Sequence, residues 1–197
     1  MTLKRAGRAR GRATASMRGG IERSTPLSAA AVPSRASLRS FCDITDTAKP
    51  EQLVGLGFRG WIAGYQSGDV GCWEQVWRLY SSEFGARRAE AAVGDLSSFA
   101  RSVNACSRRR VEVGPFGATC FCRDESLAIS MVAAFQHNTC PAMRACAFAL
   151  VESSMLDEVL HHAGSFALTM RTLDAVIPPA WIVNANAFVG TLAASPN

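Results

Sequence analysis

Thiol and imidazole groups are concentrated in the middle of the chain. Cys120, Cys122, His137, Cys140 and Cys146 lie there, and they include four of the seven cysteines in the sequence. Thiolates and imidazoles are the side chains from which proteins build redox centres and soft-metal sites. Any chemistry of this chain is therefore to be sought first in this stretch.

Cys140 stands where a helix is predicted to begin. Pro141 follows it, and proline is favoured at the first helical position, so Cys140 would cap the helix. Unpaired backbone N–H groups at a helix N-terminus stabilise a thiolate. One interpretation is therefore a catalytic or redox-active Cys140 with His137 as its base or ion-pair partner. Cys122 or Cys146 would then be the resolving thiol.

A metal site is the second interpretation of the same side chains. Zinc in proteins is bound tetrahedrally by combinations of Cys and His. A Cys₃His set here would consist of Cys120, Cys122, His137 and Cys140. The Cys-x-Cys spacing is shorter than the Cys-x₂₋₄-Cys spacing typical of structural zinc sites. Copper held by Cys and Met side chains is a variant of this interpretation, although no regular Cys-x₃-Cys ladder is present.

Buried cysteine is the third interpretation, and it is the one we adopt as the expectation. Free cysteine is among the residue types most often found in protein interiors, where it behaves as a small hydrophobe. An odd number of cysteines at irregular spacing favours a reducing compartment over a disulfide-stapled secreted domain. We therefore predict a cytoplasmic protein without a cofactor, with the reactive thiol and the zinc site as alternatives.

Six amphipathic helices are predicted to position these groups. Apolar residues recur at helical spacing from Pro50 to Tyr65, Val70 to Gly85, Ala86 to Cys106, Arg123 to His137, Pro141 to Val151 and Leu156 to Leu173. The first helix carries several glycines, which would let another helix approach closely. The fifth is small and apolar, and we expect it at the centre of the bundle.

Large aromatic residues of the first two helices are predicted to be core. Val70, Trp73, Trp77 and Tyr80 repeat at helical spacing, and Trp61 belongs to the stripe of the first helix. Aromatic side chains at such spacing usually form a core seam, because their burial dominates the energetics of a domain.

Two charged groups have a structural and a functional interpretation. Asp124 and Glu125 fall in the first turn of the fourth helix, where carboxylates suit the positive end of the dipole. Their alternative role is that of an acid, a base or a residue that orients a ligand. The run 108–110 consists of arginines, and we interpret it as a cap or a solvated surface at the end of the third helix, with a nucleic-acid contact as the alternative.

The basic charge of the chain lies at its N-terminus. Residues 1–40 contain nine Lys or Arg against one Glu, whereas the remainder contains 12 basic and 15 acidic residues. Residues 1–49 have few large apolar groups, so we expect a disordered leader. Its interpretations are a nucleic-acid-binding arm, an organelle transit peptide or a dispensable leader. Residues 50–177 form the predicted helical domain, and residues 178–197 a tail that adds a strand or packs on the bundle.

The sequence lacks the motifs of the common enzyme classes. It has no phosphate-binding glycine loop after a strand, no Gly-x-Ser-x-Gly elbow and no His-Glu-x-x-His pair. We predict a single all-α bundle of about six short helices with a disordered basic leader. The expected function is that of a small, soluble, non-catalytic binding or regulatory module with a protein partner. Nucleic acid would bind only through residues 1–40, and no membrane partner is expected.

Overall fold

The computed structural model describes residues 48–152 and 154–183. In this part of the chain there are six α-helices and one short 3-10 helix: α1 Pro50–Ser67, α2 Val70–Phe84, α3 Ala86–Cys106, α4 Arg123–Gln136, α5 Cys140–Val151, α6 Leu156–Thr172 and the 3-10 helix Pro179–Trp181. The predicted single all-α bundle is confirmed. Predictions that concern residues 1–47 and 184–197, including the basic leader, lie outside the described residues and stay predictions.

Local signals in the sequence account for the helix boundaries. Pro50 is the first residue of α1, where its fixed φ suits helix entry. Asp69 caps α2 by accepting a hydrogen bond of 2.8 Å from the N–H of Gly71. Asn138 adopts the predicted left-handed conformation after α4, with φ of 57°. Because these signals act within a few residues, the helices begin and end close to the predicted positions.

The central helix is α4, and the prediction that α5 is central is wrong. Every residue of α4 is buried except Arg123, Ser126 and Phe135. It packs against α1, α5 and α6, whereas α5 leaves Arg144 and Phe148 exposed to solvent. Among the described residues, no helix combines the length and the apolar character needed to span a bilayer.

Close packing of α1 against α2 depends on glycine. A Cβ atom at Gly57 would lie 2.8 Å from the hydroxyl oxygen of Tyr80, closer than real contacts allow. The absence of that atom lets Tyr80 enter the interface fully buried. There its hydroxyl donates a hydrogen bond of 2.9 Å to the carbonyl of Leu53. The predicted close approach of a second helix to the glycine face of α1 is confirmed.

A buried ion pair joins α1 to α4. Arg59 and Glu125 are both 0% exposed, with Nε to Oε1 at 2.7 Å and Nη2 to Oε2 at 3.0 Å. The other donors of Arg59 bond to the carbonyls of Pro115, Ala118 and Cys120 at 3.1, 2.9 and 2.8 Å. All five N–H donors of the guanidinium are thus satisfied. The pair therefore holds the connection between α3 and α4 as well as the two helices.

A second ion pair holds the same connection through Asp124. Its carboxylate accepts two hydrogen bonds of 2.7 Å from Arg109 and one of 2.8 Å from the N–H of Glu112. Arg109 also bonds to Glu152 at 2.9 Å. The surface interpretation of the arginine run is therefore wrong for Arg109, because its fork geometry matches a buried carboxylate. Asp124 and Glu125 do lie in the first turn of α4, as predicted.

Hydrogen bonding keeps Glu125 ionised inside the protein. Burial opposes ionisation, but the hydrogen bonds from Arg59, from the N–H of Cys122 and from the N–H of Gly114 outweigh it. The pKa of Glu125 is therefore lowered from its ordinary value of 4.5. A carboxylate with a lowered folded-state pKa stabilises the fold above its unfolded-state pKa, and this stabilisation is lost as the pH falls through the folded-state value.

Replacement of Glu125 by glutamine should destabilise the protein strongly. Glu125→Gln leaves a buried guanidinium without its counter-charge, so we expect the free energy of unfolding near neutral pH to fall by about 3–5 kcal/mol. The matched control is Glu74→Gln, which removes the exposed pair with Arg78 and should change stability by less than about 1 kcal/mol. Urea unfolding measures both.

Acid should also distinguish the wild type from Glu125→Gln. The wild type should lose stability below about pH 4.5, whereas Glu125→Gln, which lacks the titrating carboxylate, should lose less. Equal stability of Glu125→Gln and Glu74→Gln, with the same acid sensitivity, would contradict the role assigned to the buried pair.

Candidate functional site

The cysteines of the central stretch differ in their exposure. Cys120 and Cys140 are exposed, Cys122 is half-buried and Cys146 is buried. Cys106, the last residue of α3, is buried as well. Each cysteine in the described part of the chain is a free thiol.

Burial makes most of these thiols poor nucleophiles. It raises the pKa of Cys72, Cys106, Cys122 and Cys146 above the ordinary value of 9.0. The thiols of Cys122 and Cys146 also donate hydrogen bonds, to the carbonyl of Glu112 at 3.1 Å and to Ser130 Oγ at 3.3 Å. A thiol that stays protonated at neutral pH reacts slowly. These cysteines behave as the buried hydrophobes of the third interpretation.

Cys140 lies at the beginning of α5, one residue further into the helix than predicted. Thr139 is the capping residue, so Cys140 is the first helical residue and Pro141 the second. Proline is tolerated at either of the first positions, because the N–H groups there have no partner in the helix. Cys140 is exposed. Its assignment as a reactive thiol stays a prediction.

His137 is directed to the C-terminal part of the chain. Its Nε2 atom lies 2.8 Å from the carbonyl oxygen of Ile177, and since a carbonyl oxygen only accepts, Nε2 carries the proton. Among the described residues, no group of three or more His, Cys, Asp or Glu side chains is placed to hold a metal ion. The structure therefore does not assemble the predicted zinc ligands Cys120, Cys122, His137 and Cys140.

A different set of α4 side chains converges on one segment. The side chain of Gln136 donates to the carbonyl of Ala175 at 3.0 Å and accepts from the N–H of Ile177 at 2.8 Å. Ser130 Oγ accepts from the N–H of Val183 at 2.8 Å. With His137, these side chains bond to main-chain atoms of residues 175–183, which we call the C-terminal segment. They contact the backbone, and they hold a segment that contains the 3-10 helix Pro179–Trp181.

Side chains alternate between buried and exposed over the first three residues of the C-terminal segment. Ala175 and Ile177 are buried, at 4% and 0% exposure, while Val176 between them is 44% exposed. Further along, the ring of Trp181 packs edge-on against Phe121 with centroids 6.1 Å apart. The prediction that the tail packs on the bundle describes this segment correctly as far as residue 183.

An aromatic surface lies where α1 ends and α2 begins. The rings of Trp61, Tyr65 and Trp73 contact one another, with centroids 5.3 to 5.9 Å apart. Val70 and Trp77 share the face of α2 that carries Trp73, and they are 57% and 40% exposed. These residues, Trp61, Tyr65, Val70, Trp73 and Trp77, form what we call the aromatic surface.

The core prediction for Trp77 is wrong. The buried stripe of α2 consists of Cys72, Val76, Tyr80 and Phe84. Trp77 follows Val76 by one residue, which turns its side chain by about 100° away from that stripe. Both stripes have helical spacing, so periodicity alone does not choose between them. Packing against the glycine face of α1 selects which stripe of α2 is buried, because this face allows the buried stripe to make close contact.

Comparison with known proteins gives no relative. No family model, no curated protein and no solved structure matches this chain.

Gly64→Ala should disturb the aromatic surface. A Cβ atom at Gly64 would overlap the indole nitrogen of Trp73, so the ring must move and the helices lose about 1–3 kcal/mol of packing. The tryptophan emission maximum should shift to the red. The control is Gly94→Ala in α3, where a Cβ meets nothing within 4 Å and helix propensity should stabilise the fold by about 0.5–1 kcal/mol. An unchanged emission spectrum in Gly64→Ala would contradict this packing.

Proposed function

We propose that this chain is a non-catalytic helical module that binds a protein partner through its aromatic surface. The observation that carries the proposal is the contact between Trp61, Tyr65 and Trp73 at the solvent boundary, extended by the exposed Trp77. Trp and Tyr are enriched at the centres of protein interfaces, where they lose little conformational entropy on binding. A group of them at the surface of one helix pair suits that use.

The rigidity of the scaffold supports this proposal. Gly57 seats Tyr80 between α1 and α2, and the Arg59–Glu125 pair joins α1 to α4. A surface on fixed helices keeps its side chains in place before the partner arrives, and this lowers the entropy lost on binding. The buried carboxylates of Asp124 and Glu125 are bound by arginine side chains. In this proposal they stabilise the structure and perform no proton transfer.

Free thiols support a reducing location for the module. The described cysteines include the exposed Cys120 and Cys140, and neither forms a disulfide. Exposed thiols persist in the cytoplasm, where the redox poise keeps them reduced. A cytoplasmic location is therefore part of this proposal.

Site-specific photo-crosslinking tests the aromatic surface even while the partner is unidentified. Full-length protein with p-benzoylphenylalanine in place of Trp77 should form a discrete protein adduct in cells. The control has the same group in place of Leu168, an apolar residue of α6 that is 62% exposed. Trp73→Ala should weaken the adduct at position 77, because truncation of a central aromatic residue typically costs about 2 kcal/mol or more of binding energy. Adducts of equal yield at positions 77 and 168, or none at 77, would contradict the proposal.

A thiol function at Cys140 is the second candidate, and one observation favours it. Cys140 is exposed at the start of a helix, while burial raises the pKa of Cys72, Cys106, Cys122 and Cys146. Backbone N–H groups at a helix N-terminus favour the thiolate form, which is the nucleophile. Cys140 would then act as a redox or transfer thiol and would not be merely an unreactive cysteine at the surface.

The rate of alkylation in the native protein distinguishes a reactive Cys140 from an unreactive one. Cys120 is the internal control, since it is exposed but lies in the connection before α4. With iodoacetamide at neutral pH and peptide mass spectrometry, the thiol candidate predicts that Cys140 is modified at least about ten-fold faster than Cys120. Equal rates for the two residues across the pH range would exclude it.

A further inference from the structure

We propose that the partner of the aromatic surface is a second copy of this chain, in a two-fold symmetric dimer in which α2 packs antiparallel to α2 of the other copy. This inference rests on the proposed binding function and names its partner. It gives Glu74 and Arg78 a role as the residues that set the register of the two helices.

The apolar part of the surface is suited to contact with itself. Val70 and Trp77 are exposed, and Trp73 lies between them on the same face of α2. Trp73 also contacts the rings of Trp61 and Tyr65, with centroids 5.3 and 5.6 Å apart, so the surface continues onto α1. In a two-fold interface the same residues occur on both sides, and apolar side chains meet that condition without further adjustment.

Two opposite charges run along one edge of this apolar face. Glu74 follows Trp73 by one residue and Arg78 follows Trp77 by one, so each points about 100° away from its neighbour. Their side chains are 62% and 69% exposed and form an ion pair of 3.5 Å within the helix. Both can therefore reach a second molecule. Because the two charges are opposite in sign, this edge of one copy does not repel the same edge of another.

Antiparallel packing brings each of these charges to its opposite. When two copies of α2 are related by a two-fold axis across the helices, the same edges meet with their directions reversed. Glu74 of one copy then lies opposite Arg78 of the other, and the symmetry forms the second such pair at the same time. In a parallel pair the two charged edges would lie on opposite sides of the contact. Charge complementarity therefore favours the antiparallel dimer.

This register also places the aromatic residues at the centre. With Glu74 opposite Arg78, the two-fold axis passes at the level of Val76. Trp77 of each copy is then one residue from the axis, at the centre of the contact, where aromatic side chains contribute most to affinity. Val70 of each copy lies at the level of residues 81–82 of the other, where two serines leave room for it.

The two kinds of contact have different roles in such a dimer. An exposed ion pair contributes little to affinity, because water already solvates both charges well. Burial of the apolar face supplies most of the affinity, and the charges select the register and exclude arrangements in which like charges meet. Reversal of one charge is therefore a sharper test than its removal.

Sedimentation of the full-length protein measures the dimer directly. The wild type should show a concentration-dependent equilibrium between monomer and dimer. Glu74→Arg and Arg78→Glu each place like charges opposite each other at two symmetry-related positions, so each variant alone should dimerise at least about ten-fold more weakly. The double variant Glu74→Arg/Arg78→Glu has opposite charges in place again and should dimerise within about three-fold of the wild type. Arg171→Glu, at an exposed position of α6, is the matched control and should dimerise as the wild type does.

An equimolar mixture of the two single variants separates the dimer contact from the stability of the helix. One variant carries positive side chains at both positions and the other carries negative ones, so a heterodimer contains two favourable pairs. The mixture should therefore form dimers at concentrations at which neither variant does alone. Each chain keeps its own like charges within α2, so this recovery reports only the contact between copies. Circular dichroism confirms that each variant retains its helical signal.

A wild type that stays monomeric up to about 0.1 mM would overturn the inference, because the contact would then be too weak to hold two copies together. So would single variants that dimerise as the wild type does, or a mixture that shows no recovery.

Crosslinking at position 77 shows which of the two proposals has failed. A monomeric wild type whose position 77 forms an adduct with a different protein removes the second copy and leaves the binding function of the aromatic surface standing. A monomeric wild type without an intermolecular adduct at position 77 removes both.

Discussion

A guanidinium and a carboxylate that are both removed from water are tolerated only when each donor and acceptor finds a partner. Arg59 and Glu125 meet this condition by bonding to each other and to the backbone of the connection between α3 and α4. That connection has no helix of its own, so its order depends on this pair. The requirement explains why a helix as buried as α4 carries acidic residues at its beginning.

The same constraint applies in the second half of α4, where the buried polar groups carry no charge. Ser130 and Gln136 are buried polar residues, and they too bond to the backbone of a non-helical segment. Here the groups are neutral, with each bond contributing about 0.5–1.5 kcal/mol, against about 1.5–3 kcal/mol for bonds to charged groups. One helix thus fixes one segment firmly and holds another more weakly.

Sequence patterns predict the local parts of this fold and miss the choices that tertiary packing makes. Helix bounds follow from apolar spacing and from caps such as Asp69 and Asn138, which act over a few residues. Arg59 and Glu125 lie 66 positions apart, and each alone has the appearance of a surface charge. The core prediction for Trp77 fails because two stripes of α2 share the helical period, and only the contact with α1 selects between them. Within the cysteine stretch, spacing identifies thiols but not their burial.

Helix α4 thus holds the connection before it through charged groups and the C-terminal segment through the neutral side chains of Ser130 and Gln136. Amide hydrogen exchange of the native protein by NMR tests this division directly, because each contact involves a specific N–H. The amides of Gly114 and Cys122, which donate to Glu125, should exchange only with global unfolding, whereas those of Ile177 and Val183 should exchange earlier through local opening. Equal protection of all four amides, or faster exchange at Gly114 and Cys122, would contradict it.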